Sequence, residues 1–202
     1  MAGRRRLLAL SLIGATLAVV AVASLAFVLT RPPDPLDVVQ RWTDARNRGD
    51  VDASMELLAD TGNIFGIAVH LPGGRDQLRE IFSAQAIAGW TLEDSDCAVD
   101  GDEVRCRYAQ KDRILDRWGL AFTGAHRYRV RDGKLAFAER IHDPESREAG
   151  YDAIDAFRSW VRTAHPDVVE IIWSTPGAAL YTTPAGARAA LELLDEYEAS
   201  KP

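Results

Sequence analysis

The arrangement in this sequence best able to move a proton is a histidine among carboxylates, offered by His126, Asp112 and Glu139. An imidazole titrates near neutrality, and a neighbouring carboxylate orients it, so the group suits a general base. Strand parity brings these residues together. Within 103–114 one parity reads Val104, Cys106, Tyr108, Gln110, Asp112 and Ile114, whereas the other carries Arg105, Arg107, Lys111 and Arg113. Within 120–131, Phe122, Gly124, His126, Tyr128 and Val130 alternate with Arg127, Arg129 and Arg131. Within 134–143, Leu135, Phe137, Glu139, Ile141 and Asp143 share a parity. Successive strand side chains point to opposite faces, so the arginine-rich sets face solvent and the others face inward. Five polar residues thereby enter an apolar interior: Gln110, Asp112, His126, Glu139 and Asp143. Each costs on the order of 1–3 kcal/mol if left unpartnered.

Two readings of these groups stand. In the first, His126 with Asp112 or Glu139 performs acid/base chemistry in a pocket lined by Tyr108, Gln110, Phe122, Tyr128 and Asp143. In the second, His126 and Glu139 satisfy each other as a structural pair, and Asp112 and Asp143 are hydrated at strand ends; structural networks of this kind also perturb pKa. No metal-ligand spacing, phosphate-binding glycine loop, nucleophile elbow or paired-carboxylate motif occurs, so neither metal nor cofactor is expected. Trp42, Trp90, Trp118, Trp160 and Trp173 read as core anchors.

The elements that position these residues have their own signals. Asp34 caps a helix with Pro35 at its first position, and Leu36, Val39 and Trp42 keep helical spacing until Gly49 stops it. Asp50 or Asp52 caps a second helix running through Met55, Leu57 and Leu58. Asn63 to Leu71 reads as a short strand buried among the helices. Arg75 to Ala84 is a third helix, with Leu78, Ile81 and Phe82 on one face. From Trp90 the period changes to two. Strands then fit at 90–99, 103–114, 120–131 and 134–143, the last two joined by the hairpin turn Asp132-Gly133. The fold class is α+β, with helices on one face of an antiparallel meander. Beyond Asp143, Tyr151, Ile154, Phe157, Trp160 and Val161 form a helical stripe. Val168 to Trp173 and Ala179 to Thr182 read as strands around a Thr175-Pro176-Gly177 turn, and Thr183-Pro184 opens a last helix.

Cys97 and Cys106 are the only cysteines and flank a strand, an Asp-Gly turn and a second strand. If Val99 pairs with Val104, the two stand opposite each other, within reach of a disulfide. Closing a loop of about ten residues contributes ~2–3 kcal/mol on the chain-entropy model.

Residues 7–29 carry no charge and follow Arg4-Arg5-Arg6. As a helix at ~1.5 Å per residue they span about 34 Å, enough to cross a ~30 Å hydrocarbon core. The positive-inside rule puts residues 1–6 in the cytoplasm and everything after Arg31 outside. A cleaved signal peptide is the alternative, since Ala21-Val22-Ala23 fits a cleavage site, but the apolar run continues to Leu29. Residues 30–35 form a proline-rich linker. The first 31 residues hold four arginines and no acid, leaving 20 basic against 30 acidic residues. Such an acidic exterior argues against nucleic acid as a partner.

The helix and strand order resembles the NTF2-like superfamily, in particular its SnoaL-like branch, over about residues 35–143. The residues that carry the resemblance are Arg46-Asn47-Arg48-Gly49-Asp50-Val51, Leu57-Leu58-Ala59-Asp60, Gly74 to Phe82, and Tyr128 to Leu135 with Asp143. The resemblance implies a curved sheet wrapped around helices as a cone with an internal pocket. It implies isomerase, hydrolase or cyclase chemistry, or none, because the fold does not determine function. Residues 36–143 are therefore expected to form an NTF2-like domain, and 144–202 an elaboration packed on it. The expected protein is single-pass in a cell membrane, with the domain outside the cytoplasm. It is expected to act as a non-catalytic accessory or assembly protein or as a small-ligand-binding protein, the ligand being small and hydrophobic. A protein partner or a second copy is expected through the sheet face. The alternative is an enzyme working through the histidine site.

Overall fold

The computed structural model describes residues 33–173 and 181–201. Helix α1 (Pro35–Asn47) begins where the Asp34 carboxylate accepts a hydrogen bond from the Leu36 N–H at 2.9 Å. It ends in the turn around Gly49, whose φ of +67° suits a residue without a side chain. Asp50 then caps α2 (Val51–Glu56) by accepting from the Ala53 N–H at 3.0 Å. Strands β1 (Leu58–Ile64) and β2 (Ile67–Ala68) form a tight hairpin, followed by α3 (Gly74–Ile87). β3 (Thr91–Asp100), β4 (Glu103–Lys111), β5 (Phe122–Arg131) and β6 (Lys134–His142) make an antiparallel meander, with the short helix α4 (Arg113–Arg117) between β4 and β5. The sheet order is β2-β1-β6-β5-β4-β3, with β1 parallel to β6. Three register shifts interrupt the ladders, and shifts of this kind bend strands and curve a sheet.

The α1–α2 turn ties helices to sheet. Asn47 donates to the Leu92 carbonyl and accepts from the Leu92 N–H, both at 2.8 Å, which fixes α1 on β3. Trp42, fully buried, lies at the centre of the core that α1 and α3 build against the sheet, edge-on to Phe82 and Tyr128. A second core gathers around Phe157 and joins the chain after β6 to one end of the sheet. Its elements are α5 (Pro144–Ala164), α6 (Val169–Ile172), α7 (Pro184–Glu192) and α8 (Leu194–Ser200).

Several expectations are corrected. The second helix stops at Glu56, and β1 begins at Leu58, because that segment pairs with β6 at the sheet's edge instead of lying among the helices. The strand expected over 103–114 ends at Lys111, where Asp112 starts a helix. Residues 168–173 are not a strand but a 3₁₀ turn at Pro166–Val168 and helix α6. Short β-branched runs do not distinguish strand from helix, and here docking of Ile172 under α7 decides. The turn expected at 175–177 lies outside the described residues, as does the apolar segment 7–29. Among the described residues no helix is long and apolar enough to cross a membrane.

The largest correction is one of parity. Val130 pairs with Leu135 but Arg129 with Phe137, so Ala136 is an extra residue in β6. A one-residue slip moves every following side chain to the other face. Ala138, Arg140 and His142 therefore turn inward, while Phe137, Glu139 and Ile141 turn out. Glu139 meets Arg127 at 2.8 Å on the outer face, and Ile141 is 56% exposed. Asp143 also lies outside, accepting from Arg107 at 2.6 Å and from the Thr123 hydroxyl at 2.8 Å.

The cysteine register agrees with expectation. Val99 pairs with Val104, and although Asp96 and Cys97 form a bulge opposite Cys106, the two sulfurs lie 2.05 Å apart.

Candidate functional site

The strand register places three inward side chains in contact deep in the sheet's concavity. Asp94 of β3 reaches His126 and Tyr128 of β5. The imidazole Nδ1 lies 3.0 Å from Asp94 Oδ1, and the Tyr128 hydroxyl donates to Asp94 Oδ2 at 2.8 Å. The Thr43 hydroxyl of α1 completes the set at 3.2 Å. A carboxylate only accepts, so the imidazole proton sits on Nδ1 and Nε2 is left as an acceptor. Nε2 is buried without a hydrogen-bond partner. Tyr108 stacks over the ring at 4.1 Å between centroids. Burial lowers the His126 pKa despite the pull of Asp94, which keeps the ring neutral at pH 7. Neither Asp94 nor His126 lines either of the two cavities formed beside them by the described residues.

The groups that do reach open space lie further along the same strands. Gly124 pairs with both Tyr108 and His142, and a side chain there would run into the Ile141 carbonyl 2.0 Å away. Across this gap the Tyr108 hydroxyl meets His142 Nδ1 at 2.5 Å. Burial raises the Tyr108 pKa to about 12, so the hydroxyl keeps its proton, and donating it places the imidazole proton on His142 Nε2. Burial and the nearby Arg140 guanidinium lower the His142 pKa to about 4. Arg140 donates to the Gln110 side-chain carbonyl and lies over the Phe65 ring at 4.3 Å. Arg46 of α1 donates likewise to Gln85, within an aromatic cage of Phe82 at 3.6 Å and Trp90 at 4.6 Å. Burial, and secondarily Arg140, lowers its pKa to about 9, which leaves it charged at neutral pH.

Of these side chains Gln85, Gln110, Arg140 and His142 line a cavity of about 220 Å³ whose apolar wall includes Trp90, Leu115 and Phe122. Its roof comes from the chain after β6, through Tyr151, Ile154, Tyr181 and Thr182. Gly150 brings α5 onto Phe122, where a side chain would lie 2.4 Å from the ring. Asp112 fastens this roof: Oδ1 accepts from the Ile114 and Leu115 N–H groups at 2.9 and 2.8 Å, and Oδ2 from the Tyr181 hydroxyl at 2.7 Å. A second, more open groove of about 560 Å³ runs beside β6 between Phe65 and Phe137, and Arg140 and His142 line it too.

The residues expected to act together are thus dispersed. His126 is in the deep network, Asp112 is at the roof, and Glu139 is on the outer face. Gln110 and Phe122 line the cavity. Tyr108 reaches it through His142, Tyr128 lies below it, and Asp143 is outside. Asp94, Arg46, Arg140 and His142 were missed. Asp94 shares its parity with the apolar Trp90 and Leu92, a signal available in the sequence; Arg140 and His142 were hidden by the bulge. Among the described residues no group of three His, Cys, Asp or Glu side chains could hold a metal ion.

Comparison with known proteins adds the family. The model of the SnoaL-like domain matches residues 39–138, about half of the chain, and stops before the roof. No curated protein matches. Among solved structures, the chain is similar to an NTF2-like protein of unknown function from Cytophaga hutchinsonii, at 14% identity and a TM-score of 0.44, covering 57% of this chain and 96% of that one. It is similar to the epoxide hydrolase/cyclase-like enzyme SalBIII of pyran ring formation in salinomycin, at 20% identity and a TM-score of 0.46, covering 55% and 92%. An NTF2-like protein of unknown function from Mesorhizobium loti gives 22% identity and a TM-score of 0.43, covering 56% and 97%. Likeness at this level carries no weight for function. With the family model matching, residues 39–138 of this chain are a SnoaL-like domain of the NTF2-like superfamily.

Proposed function

We propose that this is an accessory domain that binds a small ligand without transforming it, held outside the cytoplasm at a membrane by residues 7–29. The observation that carries the binding reading is that the proton-transfer groups at the cavity already have internal partners. Both Asp112 oxygens are engaged, and His142 Nδ1 faces the Tyr108 hydroxyl. With a pKa lowered to about 4, His142 lies well below the range that best suits a general base near pH 7. His126, which could serve, lies beneath Tyr108 and lines neither cavity.

The test is incubation of the full-length protein in detergent with a library of small ketones, epoxides, lactones and acids, read by mass spectrometry of bound and recovered species. The expected result is saturable binding of at least one compound, recovered unchanged. Turnover that disappears in His126→Asn would establish the enzyme instead. That second reading, general acid/base chemistry by His126 with Asp94 orienting it, has one observation in its favour: the unpartnered Nε2.

The tether rests on the uncharged segment 7–29 and its arginine flank. Protease added to intact spheroplasts should digest the domain; a protected domain would place it in the cytoplasm.

A further inference from the structure

Among the described residues no carboxylate lies within ion-pair distance of Arg140, and Asp94 acts on it only from further off. Among the same residues its hydrogen-bond partner is the neutral side-chain carbonyl of Gln110, and its Nε is buried without one. A buried charge without a counter-ion is expensive unless something supplies the opposite charge. Other cations of the sheet contrast with it: Arg105, Arg107 and Arg127 on the outer face each meet an acid. Arg46 is in the same position as Arg140, with Gln85 as its hydrogen-bond acceptor. Arg140 is close enough to lower the tendency of Arg46 to stay charged, so the two cations add to one positive field.

The neutral groups around Arg140 point the same way. A guanidinium only donates, so Gln110 and Gln85 must turn their carbonyl oxygens to the arginines, which leaves both amide NH₂ groups as donors. Both residues line the cavity. His142, with Nδ1 occupied by the Tyr108 hydroxyl, offers Nε2–H. Asp112 shares the wall, but three donors already take up its oxygens. The polar side of the cavity is thus rich in donors, positive and short of acceptors, and the opposite side is apolar through Trp90, Leu115, Phe122 and Ile154.

We infer that this cavity binds the carboxylate of a small, otherwise apolar acid, with Arg140 as counter-ion and Gln85, Gln110 and His142 as neutral donors. The volume of about 220 Å³ is below the ~300–1,000 Å³ of sites for drug-sized ligands, which limits the tail to a few carbons. A single carboxylate suits the site better than a phosphate dianion, because one guanidinium faces the space and the remaining donors are uncharged. Arg140 and His142 also line the groove beside β6.

The inference rests on the ligand-binding reading above, and the experiment separates the two. Calorimetric titration of the full-length protein in detergent would compare pentanoate, its neutral isostere pentanamide, and butylphosphonate. Pentanoate is expected to bind at least tenfold more tightly than pentanamide, and Arg140→Gln to abolish the difference. Gln110→Glu gives Arg140 an internal carboxylate. It should remove pentanoate binding while the unfolding temperature holds or rises, and it carries the test if Arg140→Gln does not fold. Equal affinity for pentanoate and pentanamide would overturn the carboxylate assignment and leave ligand binding intact. Tighter binding of butylphosphonate would overturn it in favour of a phosphoryl group. Failure of all three to bind would overturn the carboxylate assignment, and the library incubation then decides separately whether the domain binds a ligand.

Discussion

Asp94→Ala is expected to destabilise the domain by about 3–5 kcal/mol, one of the two largest losses among single polar substitutions. The carboxylate is the shared acceptor of the Tyr128 hydroxyl, the His126 Nδ1–H and the Thr43 hydroxyl. Tyr128 is fully buried and His126 is 1% exposed, so no water replaces the lost acceptor. The Tyr128 hydroxyl and His126 Nδ1, 2.6 Å apart, would keep only each other, so the scale is set by loss of the hydrogen bonds to the buried carboxylate at ~1–3 kcal/mol each. For a chain of this size, each kcal/mol moves the midpoint by roughly 2–4 °C, so thermal unfolding should shift down by roughly 10 °C. Asp94→Asn keeps one acceptor oxygen and should lose about half as much. A loss below about 1 kcal/mol for Asp94→Ala would show that the network does not hold β3 to β5, and would reopen a catalytic role for His126.

The second large effect concerns Asp112, which the sequence offered as a catalytic carboxylate. Asp112→Ala is expected to destabilise by about 3 kcal/mol, from loss of a helix cap at ~1–2 kcal/mol and a stranded Tyr181 hydroxyl at ~1–3 kcal/mol. Burial raises the Asp112 pKa and so already opposes its charge, which offsets part of the sum. The informative partner is Asp112→Asn. Asparagine caps helices about as well as aspartate, and its amide can still hydrogen-bond Tyr181, so the change should stay within about 1 kcal/mol. Denaturant unfolding of both variants, with pentanoate affinity measured alongside, checks the assignment. A stable Asp112→Asn that nevertheless abolished a turnover would return Asp112 to catalysis.

The contrast between Asp112 and Arg140 shows what the sequence makes legible. Elements with local chemistry at their ends were readable: Asp34-Pro35, Gly49-Asp50, Asp132-Gly133 and Thr183-Pro184 each start, stop or turn the chain as their residue types require. The parity of β4 and β5 was readable too, because arginines alternate with apolar residues along both. β6 was not. Its extra residue at Ala136 depends on pairing with both β5 and β1, a tertiary fact with no local signature in Leu135-Ala136-Phe137. One slip exchanged Glu139 and Asp143 for Arg140 and His142, and with them an acidic site for a cationic one. The roof was equally hidden: 144–202 was expected to pack on the cone, but nothing in Tyr151, Ile154 or Tyr181 marks them as residues that close the cavity.

In the proposed site, ligand meets His142 and Arg140 while His126 stays sealed below. Imidazole ¹⁵N NMR of the full-length protein, labelled at histidine, tests this most directly. Folding lowers both pKa values from the ordinary 6.5, to about 4 for His142. Both stabilising contributions are therefore complete above about pH 6.5 and decline below it, that of His142 being lost as pH falls through about 4. At pH 7 both rings should be neutral, with His126 protonated on Nδ1 and His142 on Nε2. Added pentanoate should move the His142 signals and leave those of His126 in place. A His126 that titrates near neutrality and shifts with ligand, beside an unresponsive His142, would instead place the ligand at His126.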